Sequence, residues 1–266
     1  MPPSQSRYEN ILFGVESGVA EIRLNRPHRL NAVVEGLYRD ILSALDAALT
    51  DVTVRVIVLT GEGRAFCVGA DLKEHKDGAR TPLQRRQYLE LANAVCARVY
   101  AAEKPVIAAV NGFAFGAGAE MALSCDFIVM KDTAEIGFPE LSLGTFIGGG
   151  ISHVLPRLVG LVTARELIFT GRRINGVEAK AIGLVSRVAD EAAFTTEVRS
   201  LATKIGGNAP LSMALAKDHL NRGSSRDFYS TQITELEGVR ACMVTEDWSE
   251  GIRAFAEKRA PIFTGK

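Results

Sequence analysis

The stretch of sequence that decides the fold is PVIAAVNGFAFGAGAEMAL, residues 105–123. Its first half is a run of small and β-branched apolar residues, which predicts a buried strand at Val106–Val110. A glycine-rich turn follows, and a helix is predicted from about residue 117 to residue 124. Free backbone N–H groups at the start of a helix carry partial positive charge, so this turn is suited to binding an anion or a developing oxyanion.

Strands and helices alternate on both sides of this stretch. Alternating and β-branched patterns predict strands at residues 18–25, 54–60 and 126–130, and helical spacing predicts helices at 33–48 and 83–102. The first nine residues are expected to form a loose tail. Such alternation is typical of an α/β protein with largely parallel strands.

The last part of the chain has a different pattern. Beyond residue 188 only helices are predicted, at about 192–205, 211–222, 230–243 and 247–258. There is no repeat, no low-complexity tract and no long linker. We therefore predict an α/β core, residues 1–190, followed directly by a helical region, residues 191–266.

Composition and charge exclude several classes of partner. Lys and Arg number 31, as do Asp and Glu, so there is no overall field to attract nucleic acid or an anionic membrane. The polar N-terminus has no signal-peptide pattern, and Asn111 and Glu120 interrupt the longest apolar stretch. The four cysteines form neither a C-x-x-C motif nor a disulfide framework. We expect a cytoplasmic protein with no membrane or nucleic-acid partner.

Common cofactor and catalytic motifs are absent. The sequence contains no P-loop, no complete G-x-G-x-x-G fingerprint and no G-x-S-x-G elbow, and its four histidines lack zinc-ligand spacing. We therefore expect neither a metal nor a cofactor, and chemistry built from other groups.

Three stretches carry candidate chemistry. The loop at residues 63–73 follows a strand and can present backbone N–H groups, or it is an ordinary turn with Asp71 as a helix N-cap. Glu120 lies in an apolar run where an unpaired carboxylate is costly, although it also complements a helix dipole. Glu140 follows a proline among apolar residues. Two such carboxylates near glycine-rich loops can share a water and divide acid and base roles.

Ordered motifs across nearly the whole chain make it resemble the enoyl-CoA hydratase/isomerase, or crotonase, family. They are LNRP at 24–27, LNA at 30–32, AFCVGADLK at 65–73, KPVIAAVNG at 104–112, LPRLVG at 155–160, AIGLV at 181–185 and AFAEKR at 254–259. The resemblance implies a crotonase-like spiral of ββα units with a C-terminal helical region that trimerises. It also implies an acyl-CoA substrate and a homo-oligomer, either a trimer or a dimer of trimers.

The resemblance assigns roles to four residues. The backbone N–H groups of Ala70 and Ala117 would form an oxyanion hole for the thioester oxygen. Glu140 would move a proton at Cα, and Glu120 would activate the water added at Cβ. Retention of both glutamates favours a hydratase, a hydro-lyase that adds water reversibly and syn to a trans-2-enoyl-CoA to give a 3-hydroxyacyl-CoA. A Δ3-Δ2-enoyl-CoA isomerase, or a catalytically silent paralogue with the same fold, remains open.

Further contacts with the substrate follow from the same resemblance. Coenzyme A, which is part of the substrate, carries phosphates, and the cations expected near it are Arg26, Arg29, Lys73 and, from a neighbouring subunit, Lys258. The remaining residues expected to contact the substrate are Gly69, Asp71, Leu72, Gly118 and Gly148. Cys67, next to the first loop, is expected to be a small buried residue rather than a nucleophile.

One segment departs from the family pattern. Typical hydratases read Ile-Pro-Gly-Ala-Gly-Gly after the second glutamate, whereas this chain reads FIGGGI at 146–151. Ile147 replaces the proline and Ile151 the last glycine, while Gly148 remains. The acyl preference therefore stays open.

Overall fold

The fold is given by a computed structural model that describes residues 8–73, 80–223 and 226–266. The strands in these ranges are β1 (Ile11–Glu16), β2 (Val19–Leu24), β3 (Val56–Gly61), β4 (Ala65–Cys67), β5 (Val106–Val110), β6 (Phe113–Phe115), β7 (Phe127–Lys131), β8 (Glu135–Gly137), β9 (Ile174–Asn175) and β10 (Arg187–Ala189). The helices are α1 (Glu35–Thr50), α2 (Pro82–Tyr100), α3 (Ala117–Leu123), α4 (Ile151–Val159), α5 (Leu161–Thr170), α6 (Gly176–Ala181), α7 (Phe194–Gly206), α8 (Pro210–Gly223), α9 (Phe228–Met243) and α10 (Glu246–Ala256).

The strands form two sheets that the chain visits in turn. The larger sheet has the order β1-β2-β3-β5-β7-β10, and every neighbouring pair in it is parallel except β1 and β2. The smaller sheet has the order β4-β6-β8-β9, and it is parallel apart from the pair β8 and β9. A strand of the large sheet, a strand of the small sheet and a helix recur along the chain, as in β5-β6-α3. The predicted spiral of ββα units is confirmed.

The large sheet is buried on both faces. On one face Ile22, Leu59 and Val110 belong to the main core, and on the other Val56 and Ile107 pack in a second cluster beneath α7. Burial on both faces explains why the central parallel strands are continuous apolar runs.

The N-terminal end of the described chain differs from the prediction. We expected a loose tail and a first strand at residue 18, but β1 pairs with β2 in an antiparallel register, and Tyr8 is buried in the core. The rest of the expected tail, residues 1–7, lies outside the described residues.

The C-terminal helices lie within about two residues of the predicted bounds at each end, but they differ in how they pack. Helix α7 covers the large sheet, and the buried ion pair between Lys217 of α8 and Asp126 joins α8 to the core. Helix α9 has no buried residue, and it exposes the large apolar side chains of Phe228, Tyr229, Ile233, Leu236, Val239 and Met243. The boundary between residues 190 and 191 stays a prediction.

Candidate active site

The first backbone N–H group of the site belongs to Ala70, in the loop after β4. Val33 is the parallel bridge partner of Ala70. The N–H of Val33 donates to the carbonyl of Gly69 (2.8 Å), and its carbonyl accepts from the N–H of Asp71 (3.0 Å). Because Val33 bonds the residues on either side of Ala70, the N–H of Ala70 itself points away from Val33. Val33 therefore fixes the loop and leaves the N–H of Ala70 available to bind another group.

The second N–H group belongs to Ala117, the first residue of α3. Gly116 precedes it with a φ of 53°, and no side chain caps the helix there. The first N–H groups of a helix have no partner within the helix. A methyl group on Gly69 would lie 3.5 Å from the nitrogen of Ala117 and 3.6 Å from the Cα of Gly116, so the two loops touch. The loops that carry Ala70 and Ala117 therefore lie against each other, and their role as an oxyanion hole stays a prediction.

Glu120 lies in the first turn of α3, three residues after Ala117, and it is buried. Its Oε1 accepts a hydrogen bond from the N–H of Gly148 (2.6 Å). Burial raises the pKa of Glu120, and the Gly148 hydrogen bond opposes that rise by stabilising the carboxylate. Glu120 is thus a buried carboxylate that accepts a hydrogen bond from the backbone of Gly148.

Glu140 begins the short 3-10 helix Glu140–Leu143 and is buried as well. Among the described residues, neither of its carboxylate oxygens has a hydrogen-bond partner. Burial raises the pKa of Glu140 to about 6, and the nearby charge of Glu120 raises it too. A methyl group on Gly116 would come within 3.2 Å of its Oε1, which places this carboxyl beside the oxyanion hole. Glu140 is suited to exchanging a proton near neutral pH.

A glycine loop closes over Glu120. A methyl group on Gly148 would lie 3.2 Å from both carboxylate oxygens of Glu120. Gly149 has a φ of 58°, and a methyl group there would lie 2.8 Å from the Cβ of Glu120 and 2.9 Å from the Sγ of Cys96. A side chain at position 149 is therefore excluded both by conformation and by space. Ile147 and Ile151, which replace a proline and a glycine of the family pattern, are buried in the core.

Arg26, Arg29 and Asp71 bind one another. The Asp71 carboxylate accepts from Nε and Nη2 of Arg29 (3.2 and 2.7 Å) and from Nη1 and Nη2 of Arg26 (both 3.5 Å). The Asp71 side chain is thus held by the two arginines. Contact of these three residues with coenzyme A stays a prediction.

Three of the other residues predicted to contact the substrate lie in or next to the loops of Ala70 and Ala117, and Lys258 lies near the C-terminal end of the chain. Leu72 and Lys73 are exposed just after the oxyanion loop, and Lys258 is exposed after the end of α10. Gly118 has a packing role, because a methyl group there would lie 2.0 Å from the carbonyl oxygen of Cys67. Burial raises the pKa of the Cys67 thiol to about 12, so the thiol stays protonated at neutral pH, which disfavours it as a nucleophile.

Three residues that help to build the site did not stand out in the sequence. Val33 aligns the loop that carries Ala70, and Gly149 packs closely against both Glu120 and Cys96. The run of three glycines at 148–150 is a local signal for Gly149. Val33 and Cys96 have no local signal, since they reach the site only through tertiary packing.

Across the described ranges, no group of three or more His, Cys, Asp or Glu side chains is arranged to hold a metal ion. Within the same part of the chain, no helix has both the length and the apolar character needed to span a membrane.

Fold and site together define a class of protein: a ββα spiral that brings two backbone loops, at Ala70 and Ala117, together with two buried carboxyl groups, Glu120 and Glu140. A model of the family described as enoyl-CoA hydratase/isomerase matches residues 14–266. The chain belongs to the enoyl-CoA hydratase/isomerase family, and the resemblance seen in the sequence is confirmed.

Individual relatives agree with this assignment. The short-chain-enoyl-CoA hydratase of Clostridium acetobutylicum is 38% identical over 94% of this chain and 95% of its own length. The 2,3-dehydroadipyl-CoA hydratase of Escherichia coli is also 38% identical, over 96% of this chain and 99% of its own. A crystal structure of an enoyl-CoA hydratase from Bacillus anthracis has a TM-score of 0.93 at 35% identity, and the match covers 97% of this chain and all of that one.

Proposed function

We propose that this chain is an enoyl-CoA hydratase that adds water reversibly to a trans-2-enoyl-CoA and gives a 3-hydroxyacyl-CoA. The observation that carries the proposal is the pair of buried carboxyl groups, Glu120 and Glu140, beside the adjoining loops of Ala70 and Ala117. A pure isomerase needs one carboxyl to shuttle a proton, and a silent paralogue needs none. Two buried carboxylates in different environments suit a reaction with an acid and a base.

Each group has one task in the proposed reaction. The thioester oxygen lies between the N–H groups of Ala70 and Ala117, which stabilise the negative charge that develops on it; one such donor contributes about 3–4 kcal/mol. Glu120 takes a proton from water as the water oxygen bonds to Cβ. Glu140 gives its proton to Cα of the resulting enolate, and proton exchange with solvent then returns Glu120 to its ionised form and Glu140 to its protonated form. Both new bonds form on one face, so the addition is syn, and the reverse sequence is dehydration.

The remaining expectations concern the substrate and the assembly. We expect exposed Lys73 and the Lys258 of a neighbouring subunit to bind the phosphates of coenzyme A. The proposed reaction uses neither a metal nor a redox cofactor, and the expected location is the cytoplasm. The exposed apolar side chains of α9 support a trimer or a dimer of trimers, because such faces are normally buried between subunits.

The first test is hydration of crotonyl-CoA, followed by the loss of ultraviolet absorbance of the conjugated thioester. Turnover on crotonyl-CoA or on another member of a panel of straight, branched and dicarboxylic enoyl-CoAs supports the proposal, and the panel ranks acyl preference. Isomerisation of a 3-enoyl-CoA without hydration of any 2-enoyl-CoA would identify an isomerase. Binding of coenzyme A thioesters without either reaction would identify a silent paralogue.

A further inference from the structure

Asp71, which directly follows Ala70, is a buried carboxylate paired with two arginines. Its carboxylate is only 6% exposed, and it lies between the guanidinium groups of Arg29 and Arg26, which are 30% and 16% exposed. Arg29 binds it with two parallel N–H donors, at 2.7 and 3.2 Å. A two-pronged contact of this kind sets direction as well as distance.

The same cluster ties two segments of backbone together. Besides Asp71, Nη1 of Arg26 donates to the carbonyl of Ala32, the residue before Val33. The backbone of Asp71 donates to the carbonyl of Val33, and Val33 donates to Gly69. Asp71 is therefore bound through its side chain to one segment, residues 26–29, and through its backbone to the bridge at Val33.

Ala70 lies between Gly69 and Asp71, the two residues whose backbone groups bond to Val33. Because Ala70 and Asp71 are adjacent in the chain, a displacement of the Asp71 backbone also moves Ala70. Without the arginines, the Asp71 side chain loses these contacts, while the backbone hydrogen bonds of the loop to Val33 and Leu30 remain. We propose that Asp71, clamped by Arg26 and Arg29, is a positioning residue that aims the Ala70 N–H at the thioester oxygen.

This inference rests on the proposed function, and it assigns Arg26 and Arg29 a different principal task from phosphate binding. An arginine that binds phosphate must offer its N–H donors to the substrate. Here the Nε and Nη2 of Arg29 donate instead to a buried carboxylate of the protein itself, that of Asp71. The expected consequence is large, because a displacement of about 1 Å in a reacting geometry can lower a rate by about 100-fold.

The test uses Asp71→Asn, which keeps the shape and removes the charge, and Arg29→Lys, which keeps the charge and removes the paired donors. Asp126→Asn is the matched control, since it breaks a buried ion pair with Lys217 (2.7 Å) at another place in the fold. Four quantities are measured for each: kcat and KM on crotonyl-CoA, Kd for free coenzyme A, and the carbonyl stretching frequency of bound ¹³C-labelled butyryl-CoA. Butyryl-CoA is saturated and cannot be hydrated, so its infrared shift reports hydrogen bonding to the thioester oxygen alone.

The inference predicts that wild type and Asp126→Asn lower the carbonyl frequency equally. Asp71→Asn and Arg29→Lys lose much of that shift, and kcat falls by about 10- to 100-fold, while Kd for free coenzyme A is unchanged. If Asp71→Asn does not fold, Arg29→Lys decides the question.

Two results overturn the inference. One is a full carbonyl shift in the folded variants. The other is a rise in Kd for free coenzyme A that accounts for the whole loss, which would make the arginines phosphate ligands. If the wild-type protein lowers the carbonyl frequency of bound butyryl-CoA but hydrates no enoyl-CoA, the proposed function is wrong and the positioning role is unaffected. If the wild-type protein does not lower this frequency, the positioning role is wrong.

Discussion

The regions around Glu120 and Glu140 hold the same side chain in different ways. Glu120 lies on helix α3 under a glycine loop and accepts the N–H of Gly148, whereas Glu140 lies in a 3-10 turn and has no hydrogen-bond partner among the described residues. Their exposures are almost equal, 8% and 7%. Burial therefore does not distinguish the two carboxyls, but a backbone donor does.

The two environments act on the proton affinity of each carboxyl. Burial raises the pKa of both groups; the Gly148 donor opposes the rise at Glu120, and the backbone N–H of Glu140 opposes it at Glu140, where the charge of Glu120 adds to the rise and the pKa reaches about 6. The proposed hydration assigns the proton of the pair to Glu140. This is the state that hydration needs: an ionised base for the water and a protonated acid for Cα.

Replacement of Glu140 has the largest expected effect. Glu140→Gln leaves no group to carry the proton at Cα, so hydration falls toward the upper end of the range of about 10²–10⁴-fold. Isomerisation of a 3-enoyl-CoA is lost as well, because it uses the same proton. Steady-state rates on both substrates measure this. Wild-type rates in the variant would remove Glu140 from the mechanism.

Glu120→Gln comes next. Hydration is expected to fall by about 10²–10⁴-fold because the water loses its base. Acyl-CoA binding stays close to that of wild type, since the donors of the oxyanion hole are backbone groups. Hydration rates and calorimetric titration with butyryl-CoA separate the two effects. A variant that hydrates crotonyl-CoA normally would make Glu120 structural.

The pH dependence sharpens the comparison between the two carboxyls. The ratio kcat/KM reports the free enzyme, so for hydration it is expected to fall as the pH rises through about 6 and Glu140 loses its proton. The profile is measured between pH values well below and well above this one, with enzyme stability checked at each. A profile that stays flat across this region contradicts the assignment of Glu140 as the acid.

The smallest expected effect is that of Glu140→Gln on the free energy of unfolding. Because the pKa of Glu140 is raised from 4.5 to about 6 by folding, the folded state favours its protonated form. That contribution is fully present below pH 4.5 and is lost as the pH rises through about 6. Glu140→Gln is therefore expected to exceed wild type in free energy of unfolding by about 2 kcal/mol at pH 8, and to match it at pH 4. Urea unfolding at both pH values measures this.

A matched control for the stability experiment is Glu90→Gln, on the exposed face of α2. Among the described residues, the ion-pair partner of Glu90 is Arg86, and both side chains are largely exposed. Removing such a pair changes stability little. An equal gain at pH 8 in both variants would assign the effect to net charge instead of to the buried carboxyl.

Local signals explain which parts of the fold were predictable. The strand Val106–Val110 was predicted to the residue, and α3 ends one residue before its predicted bound, because a buried apolar run and a glycine turn are contiguous in sequence. Strand β1 was missed because it is an edge strand with a single buried residue, Ile11, so it shows no alternation.

The site was predictable in its parts but not in its assembly. Glu120, Glu140, Ala70 and Ala117 each lie in a motif that can be recognised along the chain. The clamp on Asp71 joins residues more than 40 positions apart, and the approach of Gly149 to Cys96 depends on how a loop crosses a helix. Neither contact has a periodicity or a composition that marks it.

The measurement that most directly tests the division of labour compares Glu120→Gln and Glu140→Gln side by side on a 3-enoyl-CoA and on crotonyl-CoA. The account predicts that Glu120→Gln loses hydration but keeps a residual isomerisation of the 3-enoyl-CoA, since Glu140 alone can carry a proton from one carbon to another. It predicts that Glu140→Gln loses both reactions. Equal loss of both reactions in both variants, with folding intact, would contradict separate roles for the two carboxyls.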